Sequence, residues 1–191
     1  MSEGWKSDKR WSDRFLPQIK RELGAFLIVE PSVEEDQMRN TDLIVLKMDS
    51  VRTACRIRKF SFYDHPQYRN EFTIRSGRPS GNETELTKII AGWGDFMFYG
   101  FSDAEETALI AYRIISLTAF RLWFTRSLVT NKGIMPGSEK KNHDGSSSFI
   151  AFDIEALPQE CIAVESGFAA TPPPVLQTHE SNTMNLFSNA K

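Results

Sequence analysis

Apolar positions change their period along this chain, and each change marks an element. Across residues 12–23, Phe15, Leu16, Ile19 and Leu23 recur at helical spacing, behind Ser12 as a capping residue and ahead of Gly24 as a helix stop. Residues 25–29 form a short apolar run whose state the pattern leaves open, and 31–40 read as a loop. The run T-D-L-I-V-L-K-M at 41–48 is β-branched, Asp49-Ser50 supplies turn chemistry, and 51–60 resume an extended pattern, which predicts a hairpin. A third strand is predicted over 68–76, with Phe72 and Ile74 on one face and Glu71, Thr73 and Arg75 on the other.

The turn-rich segment 77–82 leads into a short amphipathic helix at 83–91, closed by Gly92, and D-F-M-F-Y-G-F at 95–101 makes an apolar fourth strand. Ser102 and Glu105 form an S-x-x-E capping box, which predicts a long helix over 103–124. That segment is apolar on every side, with Ile110, Ile114, Phe120, Leu122 and Trp123 among its residues, so it is either deeply buried or the surface of a homodimer. Residues 130–148 read as a loop around the turn Asn142-His143-Asp144-Gly145, and 149–154 as a fifth strand. From Gly167 onward come small residues, three consecutive prolines and Ser, Thr and Asn, which bury too little surface to fold alone. The expected organisation is a flexible N-terminal stretch (1–11), one α/β domain (12–166) of the α+β kind with a mixed central sheet flanked by helices, and a disordered tail (167–191).

Composition sharpens this picture at three points. With 191 residues, 40% apolar and 25% charged, the chain suits a single sizeable core. No stretch approaches the roughly 20 apolar residues of a membrane span, and residues 1–10 are polar, unlike a secretion signal, so a cytoplasmic protein without membrane partners is expected. Cys55 and Cys161 lie far apart without metal-ligand spacing and read as reduced thiols. A net charge of −2 excludes a wholly basic surface, yet within 52–78 Arg52, Arg56, Arg58, Lys59, Arg69, Arg75 and Arg78 face only Asp64 and Glu71. That segment is the positive pole of the chain.

The predicted order α-β-β-β-α-β resembles the core of the PD-(D/E)XK nuclease superfamily, which includes restriction endonucleases and Holliday-junction resolvases. The resemblance covers residues 12–101 and implies a Mg²⁺ site: an acid early in the sheet, a [DE]-x-K pair on the next strand, and a carboxylate on the first helix. Hard Mg²⁺ takes carboxylate oxygens, and a lysine polarises the attacking water and the scissile phosphate. In this chain Asp42 matches the first acid and Glu22 the helix carboxylate, while Arg56-Ile57-Arg58 stands where [DE]-x-K belongs. Two cations beside a carboxylate repel Mg²⁺. The resemblance therefore implies either a relative that does not cleave, or a site into which Glu71 has moved as metal ligand beside Asp42, completed by Glu85 and Lys88.

Other candidates each carry two readings. Arg56 and Arg58 share one strand face and suit phosphate contacts, with Lys59, Arg75 and Arg78 extending a DNA- or RNA-binding surface; the other reading is a cross-strand ion-pair ladder with Glu71. Phe60, Phe62, Tyr63, His65 and Tyr68 suit either base stacking or core packing. The glycine-rich 77–82 is either a phosphate cradle or an ordinary turn. Glu85 and Lys88, three apart, suit a helix-surface ion pair. In the tail, T-M-N-L-F at 183–187 resembles the pentapeptide Q-L-[SD]-L-F with which bacterial proteins hold the replication sliding clamp: Leu186 and Phe187 match, Met184 stands for Leu, and Thr183 departs from Gln. That match implies a clamp partner reached through two apolar anchors. A protein-interaction module is the alternative to a nucleic-acid-binding protein.

Overall fold

The computed structural model describes residues 3–29, 44–45 and 51–168. In chain order the elements are α1 (Glu3–Asp13), α2 (Leu16–Leu27), β1 (Ile28–Val29), β2 (Ile44–Val45), β3 (Thr53–Arg58), α3 (Phe60–Asp64), α4 (Pro66–Arg69) and β4 (Glu71–Gly77). They continue with α5 (Glu85–Ile90), β5 (Phe96–Ser102), β6 (Leu109–Ser116), α6 (Leu117–Thr130), β7 (Ser138–Lys141), β8 (Ser148–Asp153) and β9 (Ile162–Ser166). This is an α+β protein with a mixed sheet, as its sequence predicts.

Two sheets organise the layers. The larger has the order β3-β5-β6-β9, with β3 parallel to β5 and the other pairs antiparallel; the smaller is antiparallel, β4-β8-β7. Strand alternation sends Ile57, Phe98 and Ile114 to one face of the larger sheet, against Phe15 and Ile19 of the N-terminal helices. The opposite face presents Met97, Tyr99, Phe101 and Ile115 to the main core, which Phe72 and Ile74 of β4, Phe152 of β8, and Phe120 and Phe124 of α6 complete.

Several expected elements take another form. Where a flexible N-terminus and one helix over 12–23 were expected, two helices stand end to end. Phe15 is fully buried at the break, and Pro17, in the first turn of α2, needs no N–H donor there. The predicted partner of the 51–60 strand was its predecessor; β3 instead pairs with β5, while the described remnant of 41–48, Ile44–Val45, pairs with Ile28–Val29.

The helix over 103–124 is a hairpin followed by a helix. β5 runs on through Ser102, the chain turns at 103–108, and β6 returns before α6 begins, with the Ser116 side chain accepting from Ala119 N–H at 3.3 Å. Asp103 does cap, but it caps a turn: its carboxylate accepts from Thr107 N–H at 2.6 Å, Thr107 Oγ1 at 2.7 Å and Ala108 N–H at 3.1 Å. The all-round apolar character therefore came from reading a strand and a helix as one helix, which removes the continuous 103–124 surface offered for a homodimer. Between 130 and 148, expected as loop, β7 forms and pairs with β8 around the predicted 142–145 turn. Among the described residues no helix is long and apolar enough to cross a membrane.

Candidate nucleic-acid interface

β3 and β4 are both outer strands of their sheets, and side chains rather than a backbone ladder join them. Alternation along β3 sends Arg56 and Arg58 toward β4. Arg56 Nη1 donates to the Thr73 carbonyl at 3.0 Å and to Thr73 Oγ1 at 3.3 Å, and its Nη2 donates to Glu85. Arg58 Nη1 donates to Thr73 Oγ1 at 2.9 Å and to the Tyr99 hydroxyl at 3.0 Å, with its guanidinium 3.8 Å from the Phe62 ring centroid. Thr73 Oγ1 and the Tyr99 hydroxyl share a further hydrogen bond at 3.0 Å. Glu85 also accepts from Arg75 N–H at 3.1 Å, which ties the start of α5 to β4.

In front of this seam opens a cleft of about 380 Å³. Arg52, Arg56, Arg75, Arg78 and Lys88 line it, opposed by Glu83 and Glu85, with Met97 and Leu117 among its apolar residues. Trp93 stands in its wall, 60% exposed, with the Arg52 guanidinium 5.5 Å from the ring centroid. A second, larger groove of about 810 Å³ runs along the other side of β3, where Cys55, Ile57, Lys9 and Ser80 line it. Arg75 and Arg78 line both, so the two hollows share one cationic margin.

The predicted site residues divide between this cleft and other places. Arg56, Arg75, Arg78 and Lys88 come together in it. Arg58 belongs to the seam behind, and Lys59 lies elsewhere, paired with Glu106 at 2.8 Å and 5.8 Å from the Trp11 ring centroid. Glu71 does not form the ladder with Arg56 and Arg58: Lys140 Nζ donates to it at 2.5 Å and Gln67 Nε2 at 3.2 Å. Glu85 turns to Arg56. Glu22 accepts from the Tyr112 hydroxyl at 2.9 Å on the α2 side of the larger sheet. Asp42, Met184, Leu186 and Phe187 lie outside the described residues.

Glu22, Glu71 and Lys88 thus occupy separate places, and among the described residues no group of three or more His, Cys, Asp or Glu side chains converges as a metal site. The described donors do not fit Mg²⁺: Glu71 is held by an ammonium, and cations stand where the resemblance implies ligands. No family model matches the chain, and neither a curated protein nor a solved structure does.

Of the aromatics of 60–68, Phe62 and Tyr63 pack against the main core, while His65 and Tyr68 are exposed. Tyr63 donates to the Gly167 carbonyl at 2.8 Å and its ring lies 5.7 Å from that of Phe101, while His65 stacks on Tyr68 at 4.4 Å. The segment 77–82 is a turn, closed by Gly81 N–H on the Arg78 carbonyl at 3.0 Å. Sequence reasoning missed Trp93 as a site residue. Its signal is plain once sought: a lone tryptophan between two glycines, Gly92-Trp93-Gly94, after a helix stop.

Proposed function

We propose that this protein binds nucleic acid through the cleft in front of the β3–β4 seam. One observation carries the reading: five cations against two carboxylates, Glu83 and Glu85, converge with an exposed tryptophan on one opening of a chain whose net charge is −2. A protein without overall positive charge has no general attraction to a polyanion, so a local concentration of guanidinium groups in a hollow is where phosphates would be held. Arg56 arrives pre-oriented by Thr73 and Glu85, while Arg78 and Lys88 supply the margin over which a phosphate backbone would run. Arg58, by its place in the seam, acts through Thr73 and Tyr99 as a positioning residue.

The reading is of binding. Hydrolysis of the kind the resemblance implies would use a Mg²⁺ site that includes Asp42, and cutting that requires Mg²⁺ or Mn²⁺ and disappears in Asp42→Ala would extend the proposal to a nuclease. The direct test is a gel shift on single-stranded, duplex and branched DNA and on RNA, comparing the wild type with Arg78→Ala/Lys88→Ala. Both residues sit at the margin, outside the seam, so the double variant is expected to keep its fold and lose most binding. Wild-type protein that shifts none of these nucleic acids would overturn the proposal.

A further inference from the structure

We infer that the cleft takes a single-stranded polynucleotide, with one unpaired base laid on Trp93. This rests on the nucleic-acid reading above and deepens it. The ring is carried by a tight turn at the end of α5. Gly92 and Gly94 both take left-handed backbone angles, φ 96 and 81, and Trp93 N–H donates to the Lys88 carbonyl at 3.0 Å, so the helix ends and the indole is thrown outward.

The turn is then braced on every side. Asp95 N–H donates to the Arg52 carbonyl at 2.8 Å, Arg52 N–H to Asp95 Oδ2 at 2.8 Å, and Arg121 Nη1 to the Gly94 carbonyl at 3.0 Å. The turn fixes the backbone from which the indole projects, and the ring is left mostly exposed, as a surface on which a base can be laid. Arg52 holds its guanidinium over one face of the ring, which leaves the opposite face for a base and puts a cation within reach of its phosphate.

Strand character follows from what each form of nucleic acid can offer. A duplex presents phosphates and groove edges but keeps its base faces stacked inside, so Trp93 could be met only by unpairing. A free strand offers a base face at no such cost. The cleft is the size of a small-molecule site, too small for a duplex to enter. The margin at Arg75 and Arg78, open to both hollows, lets a strand continue past β3, where a free nucleotide would end.

The test is fluorescence anisotropy with end-labelled 12-mers: single-stranded DNA, the same sequence as RNA, the matched duplex, and a single strand abasic at every position, each against wild type, Trp93→Ala, Trp93→Phe and Arg78→Ala. Trp93 is mostly exposed, and far-ultraviolet circular dichroism checks that the variants are folded. Single strands are expected to bind at least tenfold tighter than the duplex. Trp93→Ala should lose roughly tenfold on single strands, the worth of one stacked base. Trp93→Phe should retain most affinity, and the abasic strand should bind weakly and ignore Trp93→Ala. The DNA and RNA arms say which strand is preferred, and either preference supports the inference. Equal affinity for duplex and single strand, with Trp93→Ala silent while Arg78→Ala weakens binding, overturns the single-strand inference and leaves the cleft reading standing. If none of the four binds, the single-strand inference falls, and if branched DNA gives no gel shift either, the nucleic-acid reading falls with it.

Discussion

Arg56 and Arg58 show how one residue type serves two ends. Their spacing on β3 reads equally as a phosphate fork and as an ion-pair ladder; Arg56 lines the cleft while paired with Glu85 and bonded to Thr73, and Arg58 is held by Thr73, Tyr99 and the Phe62 ring. Thr73 is the hub, 2% exposed, its hydroxyl in contact with both guanidinium groups and the tyrosine. Thr73→Val keeps the shape and removes the hydroxyl, leaving Arg58 and Tyr99 without that partner. Urea unfolding should show a loss of about 1–3 kcal/mol, the cost of unpaired buried polar groups. Stability equal to the wild type would mean that the two edges do not depend on this network. Alternation alone made Thr73 and Arg56 legible as members of inward or outward faces, but a sequence does not say that two outer strands from different sheets will meet.

At the scale of elements, local signals were read well where one element held them and poorly where two neighbours shared a pattern. The strand 71–77 and the helix 85–90 overlap the predicted 68–76 and 83–91, with Thr84, placed inside the predicted helix, serving as its cap. The 103–124 helix failed because Ser102, expected as its cap, instead ends β5 with its hydroxyl buried, and the Asp103 carboxylate closes a turn. Strand β6, with Ile110, Ile114 and Ile115, was absorbed into the following helical period.

The same turn anchors the N-terminal helices, and its anchor is sensitive to acid. Glu106 accepts from Trp11 Nε1 at 2.6 Å and pairs with Lys59 at 2.8 Å. The hydrogen bonds from Lys59 and then Trp11 hold its carboxyl below the ordinary value of 4.5. A carboxyl lowered on folding stabilises fully above its unfolded value, and that contribution disappears as pH falls through the folded one. Wild type should therefore melt above Glu106→Gln near neutral pH, and the gap should close as the pH drops below the ordinary glutamate range. A gap that stays constant through acid pH, measured by differential scanning calorimetry, would show that this carboxylate does not anchor the helices.

Over the whole molecule, a slight negative charge surrounds one cationic margin, and this asymmetry gives the central claim its measurable form. The positive pole at 52–78 was visible in the sequence; Lys88 and Trp93 joined it only through the fold, because α5 and the turn after it come back over the end of β3. Of the expected Mg²⁺ constellation, Asp42 lies outside the described residues, and Glu22 and Glu71 stand apart from Glu85 and Lys88, on the opposite face of the larger sheet and at the far end of β4. The most direct test is the slope of log Kobs against log salt concentration for a single-stranded oligonucleotide, in wild type and in Arg78→Ala, Lys88→Ala and the double variant. Each phosphate contact on a single strand adds about 0.7 to the slope. The account predicts a steep wild-type slope that falls by about 0.7 with each substitution; slopes that do not change from wild type to the double variant would place the phosphates elsewhere and contradict it.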